Sequence, residues 1–349
     1  MFARAVLPSV VGVCVLAFAL RVEASPWTLP RGAVVVTGAF NYQTATQEFI
    51  ESGAPRDFPL RGRYTGTTFA LGVRASLLEG FELELGVPIR TVSYESDPVV
   101  LLERPAGSTE SELDFYQRNV LNLARTTSGL GDLTLAARAR FLQQPFALAG
   151  EIRIKAPTGY APPQGTFGER PTTSQEFLSN VTRWVTPDNV RDDVTLGDGQ
   201  LDTAFNLLFG YSFRTRTFVR VDAGYNVRFG GAGHQVLGAL RAGQSIGERF
   251  LLYAWAQLAY TVTEGRPLGV SVAAIDPTLP ASEYGGARNL LLRELRLERD
   301  QLDVGGGAIL RVTREVELNL GYARTVWGRN TAAVNSLTLS LGVRTQVGG

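Results

Sequence analysis

The chain has almost none of the side chains on which chemistry is usually built. Its 349 residues include one Cys, one His and one Lys, Lys155. So few cannot make an ordinary zinc site, and they leave hydrolytic catalysis without its commonest general base. His234 follows Gly230-Gly231-Ala232-Gly233 with no Ser or carboxylate nearby to form a dyad, and reads as a solvated loop histidine. The loop carboxylates Asp188, Asp192, Asp193 and Asp198 lack the spacing of an EF-hand loop. The expectation is a protein that is not an enzyme and carries no metal and no cofactor. Long apolar runs are also missing: after residue 24 none reaches the roughly 18 residues of a spanning helix. That absence, with a mean hydropathy of +0.02, excludes a polytopic helical membrane protein. It says nothing against a membrane β-barrel, in which only alternate residues face lipid.

The first 24 residues read as a signal peptide. Arg4 supplies a positive start, Ala5 to Leu20 an apolar core broken only by Pro8, Ser9 and Gly12, and Val22-Glu23-Ala24 a cleavage site before Ser25. Cys14 is a poor lipoprotein acylation site, because Val13 precedes it and apolar chain follows. Loss of residues 1–24 removes Arg4, Arg21, Glu23 and Cys14, leaving 25–349 formally neutral and free of cysteine. No basic excess is left to recruit nucleic acid, and no disulfide is needed, as suits an exported protein.

What the chain does have is period-two alternation. In Phe81-Glu82-Leu83-Glu84-Leu85-Gly86-Val87-Pro88-Ile89-Arg90 odd positions are apolar and even ones charged, small or Pro. Leu133 to Phe141 and Phe146 to Lys155 repeat the pattern. Twelve strands are predicted, over 33–43, 63–77, 81–94, 130–142, 146–158, 199–212, 217–229, 235–246, 250–263, 300–312, 315–327 and 333–346. Short connections near 78–80, 143–145, 213–216, 247–249 and 313–314 alternate with long ones at 44–62, 95–129, 159–198 and 264–299; only 230–234 and 328–332 are brief on the long side.

An even strand number with tight turns on one side and larger loops on the other defines the expected fold. It is all-β: a transmembrane up-and-down antiparallel barrel of about 12 strands, with short periplasmic turns, longer extracellular loops and outer-membrane lipid around it. A soluble sandwich would carry Greek-key connections and need not alternate its loop lengths. Two aromatic girdles follow, one from Phe81, Phe141, Phe146, Tyr211, Phe218 and Phe250 beside the short turns, the other from Phe40, Tyr42, Phe229, Tyr260, Tyr322 and Trp327.

Ser128-Gly129-Leu130-Gly131-Asp132 resembles the start of a strand in a Gram-negative outer-membrane transporter family of the meta-pathway of phenol degradation. Ile154-Lys155-Ala156-Pro157-Thr158-Gly159 is similar to the Pro-Thr-Gly strand exit that follows in that family. The resemblance implies passage of small, often aromatic or apolar molecules.

Alternation points Arg74, Arg90, Arg138, Arg140, Arg153, Lys155, Arg220, Arg228, Arg241, Arg311 and Arg344 into the lumen. Opposite them stand Glu82, Glu84, Asp132, Glu151, Asp202, Asp222, Asp303, Glu315 and Glu317. Two readings follow: a ladder of internal ion pairs stiffening the wall, or a positive strip of Arg138, Arg140, Arg153 and Lys155 that passes polar or anionic solutes. Leu113, Tyr116, Val120 and Leu123, and separately Phe177, Val181, Trp184 and Val185, recur at helical spacing. They predict two short amphipathic helices, with Tyr116, Phe177 and Trp184 at an apolar entrance. Tyr253 and Trp255 offer an inner aromatic step in a strand whose two faces are both apolar. The expected function is passive diffusion of small apolar or aromatic molecules through a narrow charged lumen. The alternative is a closed structural or partner-binding barrel without transport.

Overall fold

Alternating strands satisfy lipid only when the sheet closes, because an open edge leaves peptide groups without partners in hydrocarbon. The computed structural model describes residues 26–49, 53–100, 106–121, 124–143, 145–164, 173, 175–176, 179, 194–274 and 290–346, and in it the sheet is closed. Twelve antiparallel strands make the barrel. They are β1 (Ala33–Ala45), β2 (Arg63–Leu78), β3 (Phe81–Glu95), β4 (in two pieces, Arg125–Leu130 and Leu133–Leu142), β5 (Phe146–Ala156), β6 (Asp202–Ser212), β7 (Thr217–Arg228), β8 (Gln235–Ile246), β9 (Phe250–Thr261), β10 (Asp300–Arg311), β11 (Val316–Arg329) and β12 (Asn335–Gln346). Each pairs with its sequence neighbours, and β1 closes the ring on β12 from Ala33 opposite Gln346 to Thr44 opposite Asn335. Among the described residues no helix is long and apolar enough to cross a membrane.

The alternation read along the chain is the alternation of the wall. Phe40, Leu339 and Leu320 lie side by side facing outward on β1, β12 and β11, as do Ile152 and Phe205 on β5 and β6. Between these outward positions the inward ones carry Asn41, Thr68, Glu82, Arg138 and Glu151, all buried. A slip of one residue in register would turn every one of these polar groups into lipid, so register is strongly specified.

Four expectations are corrected. The fourth strand begins at Arg125, five residues before its predicted start, and is interrupted beside Pro88, which has no N–H to donate; Gly131 N donates instead to the Pro88 carbonyl at 2.9 Å. Phe218 faces inward, its ring edge-on to Trp27 at 6.0 Å, whereas Phe146, Tyr211 and Phe213 do stack outside the turns, with centroids 4.7 and 4.6 Å apart. Trp327 packs beneath the loop at Gly53 rather than in a girdle. The first amphipathic helix forms as α1 (Glu112–Asn119), but it buries Phe115 at 3% exposure and leaves Leu113 at 66%, so its apolar face is not the predicted one. Phe177 and Trp184 lie outside the described residues, as does the Tyr116 side chain.

The loops add small structures that alternation did not indicate. Gln47–Phe49, Pro55–Asp57 and Thr331–Ala332 pair as a three-stranded sheet at the loop side, and Pro267–Ala274 pairs with Leu290–Arg296 as a hairpin.

The lipid-facing assignment predicts that Leu339→Arg destabilises the refolded barrel by roughly 2–4 kcal/mol in a urea titration from vesicles. Leu113→Arg, on exposed α1, leaves the midpoint unchanged.

Candidate functional site

The lumen is asymmetric, and its charged side is built by register. Glu82 on β3 lies opposite Arg138 on β4, which lies opposite Glu151 on β5; two residues further along, Glu84 and Arg153 flank Ala136. All five side chains point inward, so they meet. Arg138, 2% exposed, reaches Glu82 at 2.7 Å, Glu84 at 3.3 Å and Glu151 at 2.6 Å. Arg153 reaches Glu84 at 3.2 Å and Glu151 at 3.1 Å, and Asn206 of β6 donates to Glu151 at 3.2 Å. Arg74 stands opposite Glu84 from β2, giving three cations to three carboxylates.

A second group lies towards the loop side. Lys155 of β5 touches Asp132 at 3.4 Å, Asp202 at 2.9 Å and Asp198, while Arg228 of β7 touches Asp198 at 2.5 Å and Asp202 at 3.3 Å. Tyr160 donates to Asp132. Burial pushes the Tyr160 phenol up, and the charge of Asp132 adds to the effect. Burial opposes ionisation of Asp198 as well, but Lys155 and Arg228 outweigh it and hold that carboxyl below the ordinary carboxylate range.

The charges elsewhere are also partnered. Arg140 pairs with Glu79 at 2.5 Å, Arg220 with Asp222 two residues away, and Asp303 accepts from Thr325 at 2.7 Å and from Gln301. Arg90 donates to the Leu196 carbonyl at 2.7 Å. Arg311 sits at the turn-side rim, 52% exposed, with Glu317 at 3.1 Å. His234 accepts from the Arg228 amide at 3.1 Å. Of the two readings of Arg138, Arg140, Arg153 and Lys155, the geometry is that of the internal ion-pair ladder and not of the positive strip: each cation faces at least one carboxylate. Burial is the reason, since a charge withdrawn from water must be paired. No group of three or more His, Cys, Asp or Glu arranged to hold a metal occurs among the described residues.

The opposite wall is of another kind. On β9 Tyr253 and Trp255 face inward, settling the register that two apolar faces left open in the sequence. Tyr253 donates to Asn319 at 2.8 Å and lies under the Arg241 guanidinium at 5.2 Å. Their neighbours on β10 are Gly307 and Gly305. A Cβ on Gly305 would sit 2.7 Å from the Trp255 ring, so the glycine lets the indole lie against the sheet instead of across the bore.

Chain folds into both ends of this lumen. Residues 26–32 turn inward at the short-turn side: Gly32 N donates to Ser76 O at 2.8 Å, Leu29 N donates to Glu82, and Thr28 accepts from Arg140 at 2.9 Å. Pro26 and Trp27 finish on β6, where a Cβ at Gly210 would collide with both. Successive contacts with β2, β3, β4, β6 and β7 carry this strap across the turn-side end. At the loop side an apolar cork of Phe58, Tyr64, Val92, Tyr94, Val194 and Leu196 packs inside the mouth against β1, β2 and β3. Sequence reasoning missed both, although an adjacent Pro26-Trp27 is an unusual pair to leave in solvent.

Fold and lining define a twelve-stranded barrel of the bacterial outer-membrane type. An outer membrane channel from Pseudomonas putida F1 has the same fold, with a TM-score of 0.58 at 13% identity, over 91% of this chain and 97% of that one. The KdgM porin gives 0.42 at 4% identity, over 87% of this chain and 98% of that one. The CymD monoaromatic hydrocarbon channel gives 0.41 at 10% identity, over 92% and 90%. No protein-family model matches the chain, and no curated protein matches it in sequence.

Two outcomes follow from the geometry. Arg138→Ala removes the ion pair of buried Glu82 and leaves Glu84 and Glu151 to share Arg153, and it lowers stability by roughly 3–5 kcal/mol, read as a urea midpoint shift. Deleting residues 26–30 leaves Glu82 without the Leu29 amide and Arg140 without Thr28, and lowers the urea midpoint by less than Arg138→Ala does.

Proposed function

We propose that this chain is a passive channel of the bacterial outer membrane for small apolar or aromatic molecules, working without cofactor or chemical step. The observation that carries this reading is the division of the lumen. Charges on β3–β5 are compensated within the wall, so no single-sign field is offered to ions, as an ion-selective pore would require. The facing wall presents Tyr253 and Trp255 among Gly305, Gly307 and Ala239, surfaces on which a planar apolar body gains contact area. Twelve strands leave a bore between the side-chain-filled lumen of eight and the aqueous channel of sixteen, narrow enough for this wall to touch a solute. The motif resemblance around 128–159 and the shared fold with an outer membrane channel support the same class.

A second reading has its own observation: strap and cork lie inside the two ends, as a closed structural barrel would have them. Planar-bilayer recording of the refolded chain with phenol separates the two. A channel shows discrete openings that the solute blocks, and Trp255→Ala weakens that block about tenfold. A folded, heat-modifiable barrel that stays silent, with and without residues 26–30, rejects transport.

A further inference from the structure

The third carboxylate of the loop-side group does not belong to the barrel. Asp132 stands in the break of β4 and Asp202 at the start of β6, but Asp198 is carried on Val194–Gln200, a segment that dips into the mouth. Its main chain is held at three points: Leu196 O by Arg90 at 2.7 Å, Val194 O by Thr127 at 3.2 Å, and Gly199 N by the Tyr160 oxygen at 3.0 Å. Asp198 then spans two strands, one oxygen on Lys155 of β5 and the other on Arg228 of β7. Arg228 is further fixed by Asp202 and by the Leu297 carbonyl at 3.1 Å, so it keeps its place without Asp198.

Charge and shape together describe what this seat accepts. Lys155, Arg228 and Arg299 act against Asp132, Asp198 and Asp202, three against three. Withdrawal of Val194–Gln200 removes one negative charge and leaves the wall a carboxylate short. The same withdrawal takes Val194 and Leu196 out of their cluster with Tyr64, Val92 and Tyr94, exposing apolar surface on β2 and β3 at the same end of the barrel as the vacated cations. Because Asp198 is ionised at neutral pH, its replacement by another carboxylate exchanges anion for anion and moves no proton.

We propose that Asp198 is a tethered stand-in for the carboxylate of a solute, and that Lys155 and Arg228 form a binding site for small monocarboxylates with an apolar or aromatic body. Binding displaces Asp198 and releases Val194–Gln200 from the mouth, so that occupancy and opening are one event. The proposal rests on the channel reading and names its solute class and its gate. The tether also sets the affinity: an intramolecular carboxylate competes at an effective concentration of the order of millimolar. Wild-type protein therefore binds weakly, and removal of the competitor strengthens binding.

The test is calorimetric titration of the refolded full-length protein in detergent with benzoate, and with benzyl alcohol as the neutral analogue. Asp198→Asn is expected to bind benzoate at least tenfold tighter than wild type, with benzyl alcohol unchanged. Arg228→Gln in that background abolishes the gain. Equal benzoate affinity in wild type and the folded variant overturns the proposal, and so does an equal gain for the alcohol. Hydrogen exchange needs no variant: benzoate, but not benzyl alcohol, is expected to accelerate exchange at amides 194–200 of wild type, and its failure to do so overturns the proposal even where Asp198→Asn does not fold. Binding is read without a membrane, so benzoate binding in a barrel that passes no current would reject the channel reading alone.

Discussion

Hydrocarbon offers a peptide group nothing to bond to, and the rest of this structure depends on that. A sheet surrounded by lipid has to close, and a closed sheet of twelve strands has one face for lipid and one for everything lipid rejects. The polar half of every strand is thereby gathered into a narrow bore. Water there is scarce, and unpaired charge is costly. The quartet of Glu82, Arg138, Glu151 and Arg153 is the direct result, assembled by register from three neighbouring strands.

The same groups that neutralise the wall also hold the pieces that fold into its ends. Glu82 pairs with Arg138 and accepts from Leu29 of the strap; Arg140 pairs with Glu79 and donates to Thr28. At the other end Lys155 and Arg228 pair with Asp202 of the wall and with Asp198 of the loop. Strap and loop are thus tied by polar contacts to a framework that does not need them, the arrangement expected of segments that open at lower free energy than the strands beneath. In the loop, Val194 and Leu196 add apolar burial to the polar ties.

Much of the barrel was legible because alternation is a local property. Residues two apart share a face whatever the rest of the chain does, so the inward positions of Arg138, Glu151 and Lys155 could be read from their own strands. The strand carrying Tyr253 and Trp255 could not be read this way, for both of its faces are apolar and period two loses its contrast. Loop length told which side was which, yet said nothing of the strap, whose partners lie on five strands. Asp198 shows the limit most clearly: in sequence it is one of several loop carboxylates, and only the fold carries it to two cations 43 and 30 residues away.

By itself the sequence determined a closed twelve-stranded wall, its outer apolar face and the charges its strands turn inward, because each follows from hydrophobic period and connection length. Which charge meets which, and what lies inside the two ends, only the tertiary structure decided. Those contacts join residues far apart along the chain across neighbouring strands or across the bore, and their geometry exists only once strand register and barrel closure bring the strands together.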